Sequence, residues 1–250
     1  MSFTERFTGR ADAYVAGRPS YPDAAIDVLL ANLGDPRDVV VADLGAGTGI
    51  SSRLLAARGV QVLAVEPNAA MRDAAEPCDG VEWVDGTAEA TGLHEASVDL
   101  AAAFQAFHWF DARKALDEIV RIVRPGGRAA VVYNERDESD EFTGAYGALV
   151  RTFATDATER RRADGLSAFA AFEGWHGGPR RTEIRNVQRL DRDGLHSRVR
   201  STSYLPQAGA ASESLRADID ALFDRHAREG RIAMVLTTIV VCGDLGADGA

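Results

Sequence analysis

Val39-Val40-Val41-Ala42-Asp43-Leu44-Gly45-Ala46-Gly47-Thr48-Gly49 is the stretch that decides the fold. It begins with a β-branched apolar run, the composition of a strand buried on both faces of a parallel sheet. Three glycines follow at alternate positions, and the chain continues as Ile50-Ser51-Ser52-Arg53-Leu54-Leu55-Ala56-Ala57-Arg58-Gly59. In that segment Ile50, Leu54 and Ala57 share one helical face, and Gly59 stands where a helix C-terminus closes. A strand, a tight glycine turn and a helix in this order make a nucleotide-type site. Glycine accepts positive φ and lacks the Cβ that would block a ligand. The helix start offers unpaired N–H groups to it.

The glycine spacing is G-x-G-x-G, whereas dinucleotide binders carry G-x-G-x-x-G. A second strand is expected at Val60-Gln61-Val62-Leu63-Ala64-Val65, ending in Glu66. That acid falls about twenty residues beyond Gly45, where a carboxylate accepts the hydroxyls of a ribose. These residues together resemble the class I S-adenosylmethionine (SAM)-dependent methyltransferases. The resemblance implies a Rossmann-like, doubly wound α/β fold: a mostly parallel seven-stranded sheet, helices on both faces and a capping insertion. It also implies SAM as cofactor, S-adenosylhomocysteine (SAH) as product, and contacts from Gly45, Gly47, Thr48, Glu66 and Pro67. A glycine turn without a ligand, a SAM-binding protein that transfers no methyl group and an NAD-dependent oxidoreductase are the rival readings.

A chain of 250 residues suffices for one well-buried domain and is cramped for two. A net charge of −10 argues against a nucleic-acid surface, which needs a basic patch. The basic clusters Arg160-Arg161-Arg162 and Arg180-Arg181 read as solvated faces. Cys78 and Cys242 stand far apart without metal-ligand spacing, so no metal is expected and a reducing compartment is. The charged start Met1-Ser2-Phe3-Thr4-Glu5-Arg6 and the lack of a long apolar run predict a cytoplasmic protein with no membrane partner. The expected partner is a small molecule; oligomeric state is not legible.

Residues 1–35 read as an arm and a helix over the cofactor site. The arm Tyr14-Val15-Ala16-Gly17-Arg18-Pro19-Ser20-Tyr21-Pro22 is stiff and irregular. By the resemblance, Tyr14 and Tyr21 cover the ligand and Arg18 pairs with its carboxylate; the alternative is that the tyrosines pack the arm onto the domain. Residues 36–134 form the SAM-binding core. In it, the resemblance implies that Met71 packs under an adenine ring, the alternative being that it is a plain core residue. The turn after a third strand at Val81–Val84 brings Thr87, Ala88 and Glu89 toward that base. Many relatives carry Asp where Thr87 stands, so this chain departs from their pattern there.

The fourth strand, Ser97 to Phe104, ends in Gln105-Ala106-Phe107-His108-Trp109-Phe110, at the strand end where open α/β sheets bind ligands. A helix closed by Arg124-Pro125-Gly126-Gly127 and a strand at Arg128–Tyr133 follow. Residues 135–206 read as a cap carrying substrate specificity, with a helix near 142–153, a loop from Phe169 to Pro179, a strand at Glu183–Leu190 and a helix from Leu195 to Tyr204. Residues 207–250 hold a helix ending at Gly230 and a strand from Ile232 to about Cys242. All 250 residues thus read as one domain.

The Ala-Phe-His-Trp-Phe run and the Arg-Pro-Ser-Tyr-Pro arm place the resemblance nearest the trans-aconitate-methyltransferase-like branch. It implies methyl transfer to an organic acid or specialised metabolite, O-methylation being favoured over N or C. Tyr21, Phe107, His108, Trp109, Trp175 and Tyr204 are the candidate acceptor contacts. His108 is the candidate general base, by position and by its near-neutral reference pKa; alternatively it orders the turn after the fourth strand. No G-x-S-x-G elbow and no P-loop occurs, which removes the commonest hydrolase and phosphate-transfer readings.

Overall fold

Residues 18–246 are described by the structure, a computed structural model. The chain runs α1 (Asp23–Leu30), β1 (Val40–Leu44), α2 (Ile50–Ala56), β2 (Gln61–Val65), α3 (Ala69–Asp73), β3 (Val81–Val84) and β4 (Val98–Phe104). A 3-10 turn, Phe107–Trp109, leads into α4 (Ala112–Ile122) and β5 (Val123–Arg136). Then come α5 (Glu141–Phe153), α6 (Thr158–Ala170), β6 (Trp175–Leu190), α7 (Arg192–Ser201), α8 (Gly209–His226) and β7 (Ile232–Leu245).

The seven strands form one sheet in the order β3-β2-β1-β4-β5-β7-β6. β1 pairs in parallel with β2 and β4, β2 with β3, and β4 with β5. Only β7 runs against its neighbours β5 and β6. The order reverses between β1 and β4, which opens a crevice at their carboxyl ends. The apolar run foreseen for β1 is buried, as a strand covered on both faces requires.

Each face of the sheet has its own core. Ile26, Leu29 and Leu55 of α1 and α2 pack on Val41, Leu100 and Val132. On the other face Leu116, Ile119 and Ile122 of α4 and Phe169 of α6 pack on Ala42, Ala101 and Val131. A third cluster, with Tyr146, Leu195, Leu215 and Met234, joins α5, α7 and α8 to the start of β7. Short polar side chains start α4, α5 and α7. Asp111, Asp140 and Asp191 accept from the backbone N–H of Lys114, Thr143 and Gly194.

Two local expectations change. The stretch expected as a loop from Phe169 to Pro179 holds the end of α6, a four-residue turn and the start of β6. Gly177 and Gly178 adopt φ of +76° and +80° at the register shift between His176 and Arg180, so an edge strand tolerates the Gly-Gly-Pro run. Arg124–Gly127, expected to end the helix, instead lies inside β5 at a register shift opposite β4. Residues 135–206 accordingly supply the sheet's edge strand as well as three helices.

Candidate functional site

The glycine turn is locked onto the end of β2: the N–H groups of Gly45 and Ala46 both donate to the Val65 carbonyl, at 2.8 and 3.1 Å. Gly45 has φ +69°, and a Cβ there would sit 2.9 Å from Ala106 Cβ and 3.1 Å from the Phe110 ring. The position therefore needs glycine both for its backbone and for the close approach of the loop after β4.

Beneath the turn, the Asp43 carboxylate is fully buried and accepts the hydroxyls of Ser51 and Ser52, each at 2.6 Å through Oδ2. Burial pushes its pKa up to about 6 in spite of the two serines. Between the ordinary 3.8 and about 6 the native state keeps a proton that the unfolded chain has released, so this group makes stability fall as pH rises through that window. Asp43→Asn keeps an acceptor and removes the buried charge. The melting temperature of the variant relative to wild type is expected to climb over that window; a difference independent of pH refutes the account.

Glu66 closes β2. Its Oε2 accepts from Gly47 N–H at 3.0 Å and its Oε1 from Asn68 N–H at 2.9 Å. Each oxygen keeps a lone pair for a further donor, such as a vicinal diol. Burial raises the Glu66 pKa, offset by those two backbone donors and the positive charge of Arg72. Around this carboxylate lies a cleft of about 790 Å³, its mouth included. Gly45, Gly47, Glu66, Pro67, Met71, Thr87, Ala88, Glu89, Gln105 and Trp109 all line it. Nine of these are the residues expected at the cofactor and Trp109 is one expected at the acceptor; the fold brings them together from four separate segments. Glu89 also spends one oxygen on Asp111 N–H, at 2.8 Å, where it ties the loop to the start of α4.

Gln105 leads out of this cleft. It sits at φ +53°, an uncommon backbone for a residue with a side chain, and its amide donates to the Asn134 carbonyl at 3.1 Å. Arg18 and Tyr21 line a small neighbouring space beside it, where the Tyr21 and Phe104 rings meet edge to face at 4.9 Å. A larger chamber on the other side is lined by Arg18, Gln105, His108, Trp109 and Tyr204. The backbone N–H of His108 donates to the Tyr133 hydroxyl at 3.0 Å, and its ring Nδ1 lies 3.3 Å from the same oxygen. Burial, reinforced by the positive charges of Arg162, Arg18 and Arg161, pushes the His108 pKa down to about 3. The imidazole is thus neutral at physiological pH and weakly basic.

Several expected contacts lie elsewhere. Thr48 is fully buried under the turn and lines none of these spaces. Phe107 is 1% exposed and packs its ring against Phe110 and Phe169, because the 3-10 turn directs it into the core. Trp175 packs on Phe169 and Phe172 at the start of β6, outside the cleft. Tyr14 lies outside the described residues. Arg180 and Arg181 are exposed, but Arg162 is not the solvated residue its neighbours suggested. It turns inward, donates to Glu135 and stands over the Tyr133 ring. Phe110, from the aromatic run after the fourth strand, also lines the cleft; Phe104, Arg136 and Arg198 line the site without having been singled out in the sequence, since only folding brings them to it. Among the described residues no cluster of metal-ligating side chains occurs, and no helix is long and apolar enough to cross a membrane.

Comparison with known proteins agrees with this geometry. The strand order and the switch-point cleft are those of a Rossmann-like fold, which solved methyltransferase structures share. Residues 42–131 match the family described as Methyltransferase domain. A stretch of 135 residues is 44% identical to an uncharacterized methyltransferase of Mycobacterium tuberculosis, covering 53% of each chain. The malonyl-acyl carrier protein O-methyltransferase of Pseudescherichia vulneris is 35% identical over 124 residues, 49% of each chain. The chain thus spans about half the length of these curated relatives. A solved structure described as a type II methyltransferase, from Anaeromyxobacter dehalogenans, is 26% identical, with TM-score 0.65 over 92% of this chain and 98% of that one.

Proposed function

We propose that this protein is a SAM-dependent methyltransferase that O-methylates a small organic acid. The observation that carries the reading is the single cleft formed by the glycine turn, Glu66 and Met71 at the β1/β4 switch point. Its residues fit the cofactor: the Gly45 turn leaves room for close approach, the Glu66 oxygens have spare acceptor capacity for a ribose, and Met71, Ala88 and Phe110 offer an apolar slot for a base. Arg18, in the adjoining space, is placed for an amino-acid carboxylate. When bound, SAM supplies a methyl carbon activated by a sulfonium leaving group.

The rest is positioning, which can be worth ~7–11 kcal/mol of barrier. Gln105 and Trp109 line both the cleft and the chamber, so transfer is placed where the two meet. A side chain must take a proton only when the acceptor releases one. His108, held neutral with a pKa near 3, suits the role of ordering the turn through Tyr133. An ionised carboxylate needs no base, which favours an acid as acceptor. Such an acceptor oxygen has no proton to release, so the chain's own residues would need only to align it and exclude water. The resemblance of the Ala-Phe-His-Trp-Phe run and the Arg-Pro-Ser-Tyr-Pro arm to the trans-aconitate-methyltransferase-like branch favours the same choice.

The test is transfer of label from SAM across panels of carboxylic acids, phenols and amines. Label in base-labile methyl esters is expected. Transfer only to phenols or amines overturns the acid, and tight SAH binding with no transfer to any panel favours the non-methylating rival. His108→Gln is expected to keep turnover on the acid well within the ~10²-fold that removing a general base costs. Its kcat/KM profile is expected to match wild type over roughly pH 6–8. An ionisation in that range that vanishes in the variant would restore His108 as the base.

A further inference from the structure

The chamber beyond Gln105 is built from arginines. Arg18, Arg136, Arg162 and Arg198 face a space of about 740 Å³, its mouth included, from four different segments of the chain. Two of them bring their own carboxylates: Arg136 pairs with Glu159, and Arg162 with Glu135. Arg198, on α7, differs. Its Nη1 donates to the neutral amide oxygen of Gln188 at 2.7 Å, and its Nε is shielded from solvent with no hydrogen-bond partner. Among the described residues no carboxylate lies within ion-pair distance of it. Burial, with the like charges of Arg18 and Arg136, lowers its pKa to about 10, so it remains a cation. The hydroxyl-bearing rings of Tyr146 and Tyr204 complete its surroundings. A desolvated cation without a counter-charge is unfavourable unless a ligand supplies one. The guanidinium fork matches a planar or tetrahedral oxyanion.

We infer that this chamber is an oxyanion subsite of the acceptor pocket, in which Arg198, with Arg136 alongside, takes a carboxylate or phosphate group of the acceptor. The inference rests on the methyltransferase reading and deepens it by naming the charge the acceptor carries. Gln105 and Trp109 join the chamber to the cofactor cleft, so an acceptor anchored on Arg198 reaches the place of transfer.

The experiment is calorimetry on the full chain, with and without saturating SAH, using propane-1,2,3-tricarboxylate, its neutral triamide and inorganic phosphate as probes. One anion per chain is expected to bind the wild type, with no binding of the triamide. Tighter binding of the tricarboxylate assigns a carboxylate, and tighter binding of phosphate assigns a phosphate ester. Arg198→Gln is expected to weaken the anion at least tenfold and Arg198→Lys to recover part of it, with SAH affinity unchanged in both. Absence of anion binding to the wild type, or equal binding to Arg198→Gln, overturns the subsite. Failure of SAH itself to bind overturns the methyltransferase reading instead, and the arm without SAH keeps the two apart. Arg198→Met separates a ligand-binding cation from a structural one. Its melting temperature without anion is expected at or above that of wild type, with no rise on adding the tricarboxylate. A variant that loses its cooperative transition marks Arg198 as a structural tie and overturns the assignment.

Discussion

Glu66→Ala is expected to weaken SAH binding by about 1–3 kcal/mol, the usual worth of hydrogen bonds to a charged group. The loss has two sources in the structure. The carboxylate would hold the ribose hydroxyls, and it also accepts from Gly47 and Asn68, so it sets the shape of the turn that the cofactor must approach. Glu66→Gln separates them. It retains an acceptor but no charge and places an N–H₂ against one backbone donor, so it is expected to fall between wild type and Glu66→Ala. Because burial raises the Glu66 pKa, affinity is also expected to drop on acidification as the carboxyl gains its proton. Titration of each variant with SAH checks all three, and wild-type affinity in Glu66→Ala would remove Glu66 from the site.

Phe169→Ala is expected to have the largest effect on stability, a loss of about 3–5 kcal/mol in denaturant unfolding. Phe169 is completely buried near the end of α6, with the Phe107 ring at 5.2 Å and the Trp175 ring at 4.9 Å. Its carbonyl accepts the indole N–H of Trp175 at 3.2 Å. Three aromatic rings from the turn after β4, from α6 and from β6 thus meet at one point, and removing the central ring leaves a cavity that none of them can fill. The glycine turn lies outside this contact, so SAH affinity of the folded variant is expected to stay at the wild-type value. A stability loss under about 1 kcal/mol would show that the surroundings collapse onto the gap.

These two residues show why one half of the molecule was readable and the other was not. Glu66 is announced by local order: an apolar strand, a glycine turn, a helix, and a second strand whose last residue is an acid. Each sign lies within a few residues of the next, and the parallel sheet converts that spacing into one crevice. Phe169 is one aromatic residue in a stretch of mixed polarity, expected to begin a loop. Its burial depends on the Phe107 turn and on the edge strand at Trp175, which are remote in sequence. Trp175 misled for the same reason: an indole in a cap is equally compatible with a ligand and with a core.

Asp43 is an intermediate case. The first motif contains it, but its role as an acceptor for Ser51 and Ser52 under the helix start emerges only from the fold. Arg162 reverses the pattern, since three consecutive arginines read as a solvated face. On a helix such neighbours point in different directions, and the structure turns Arg162 toward Glu135 while Arg160 and Arg161 stay exposed.

By itself the sequence determined the α/β class and the strand–turn–helix beside the cleft, because periodicity and glycine placement are local physical constraints, and it pointed to Glu66, Met71 and Gln105, which the fold brings to the cleft wall. Only the tertiary structure decided that Phe107 and Trp175 serve the core, that His108 is held neutral, and that four arginines converge on one chamber. Burial and electrostatic environment are sums over neighbours drawn from the whole chain, and no window of sequence contains those neighbours.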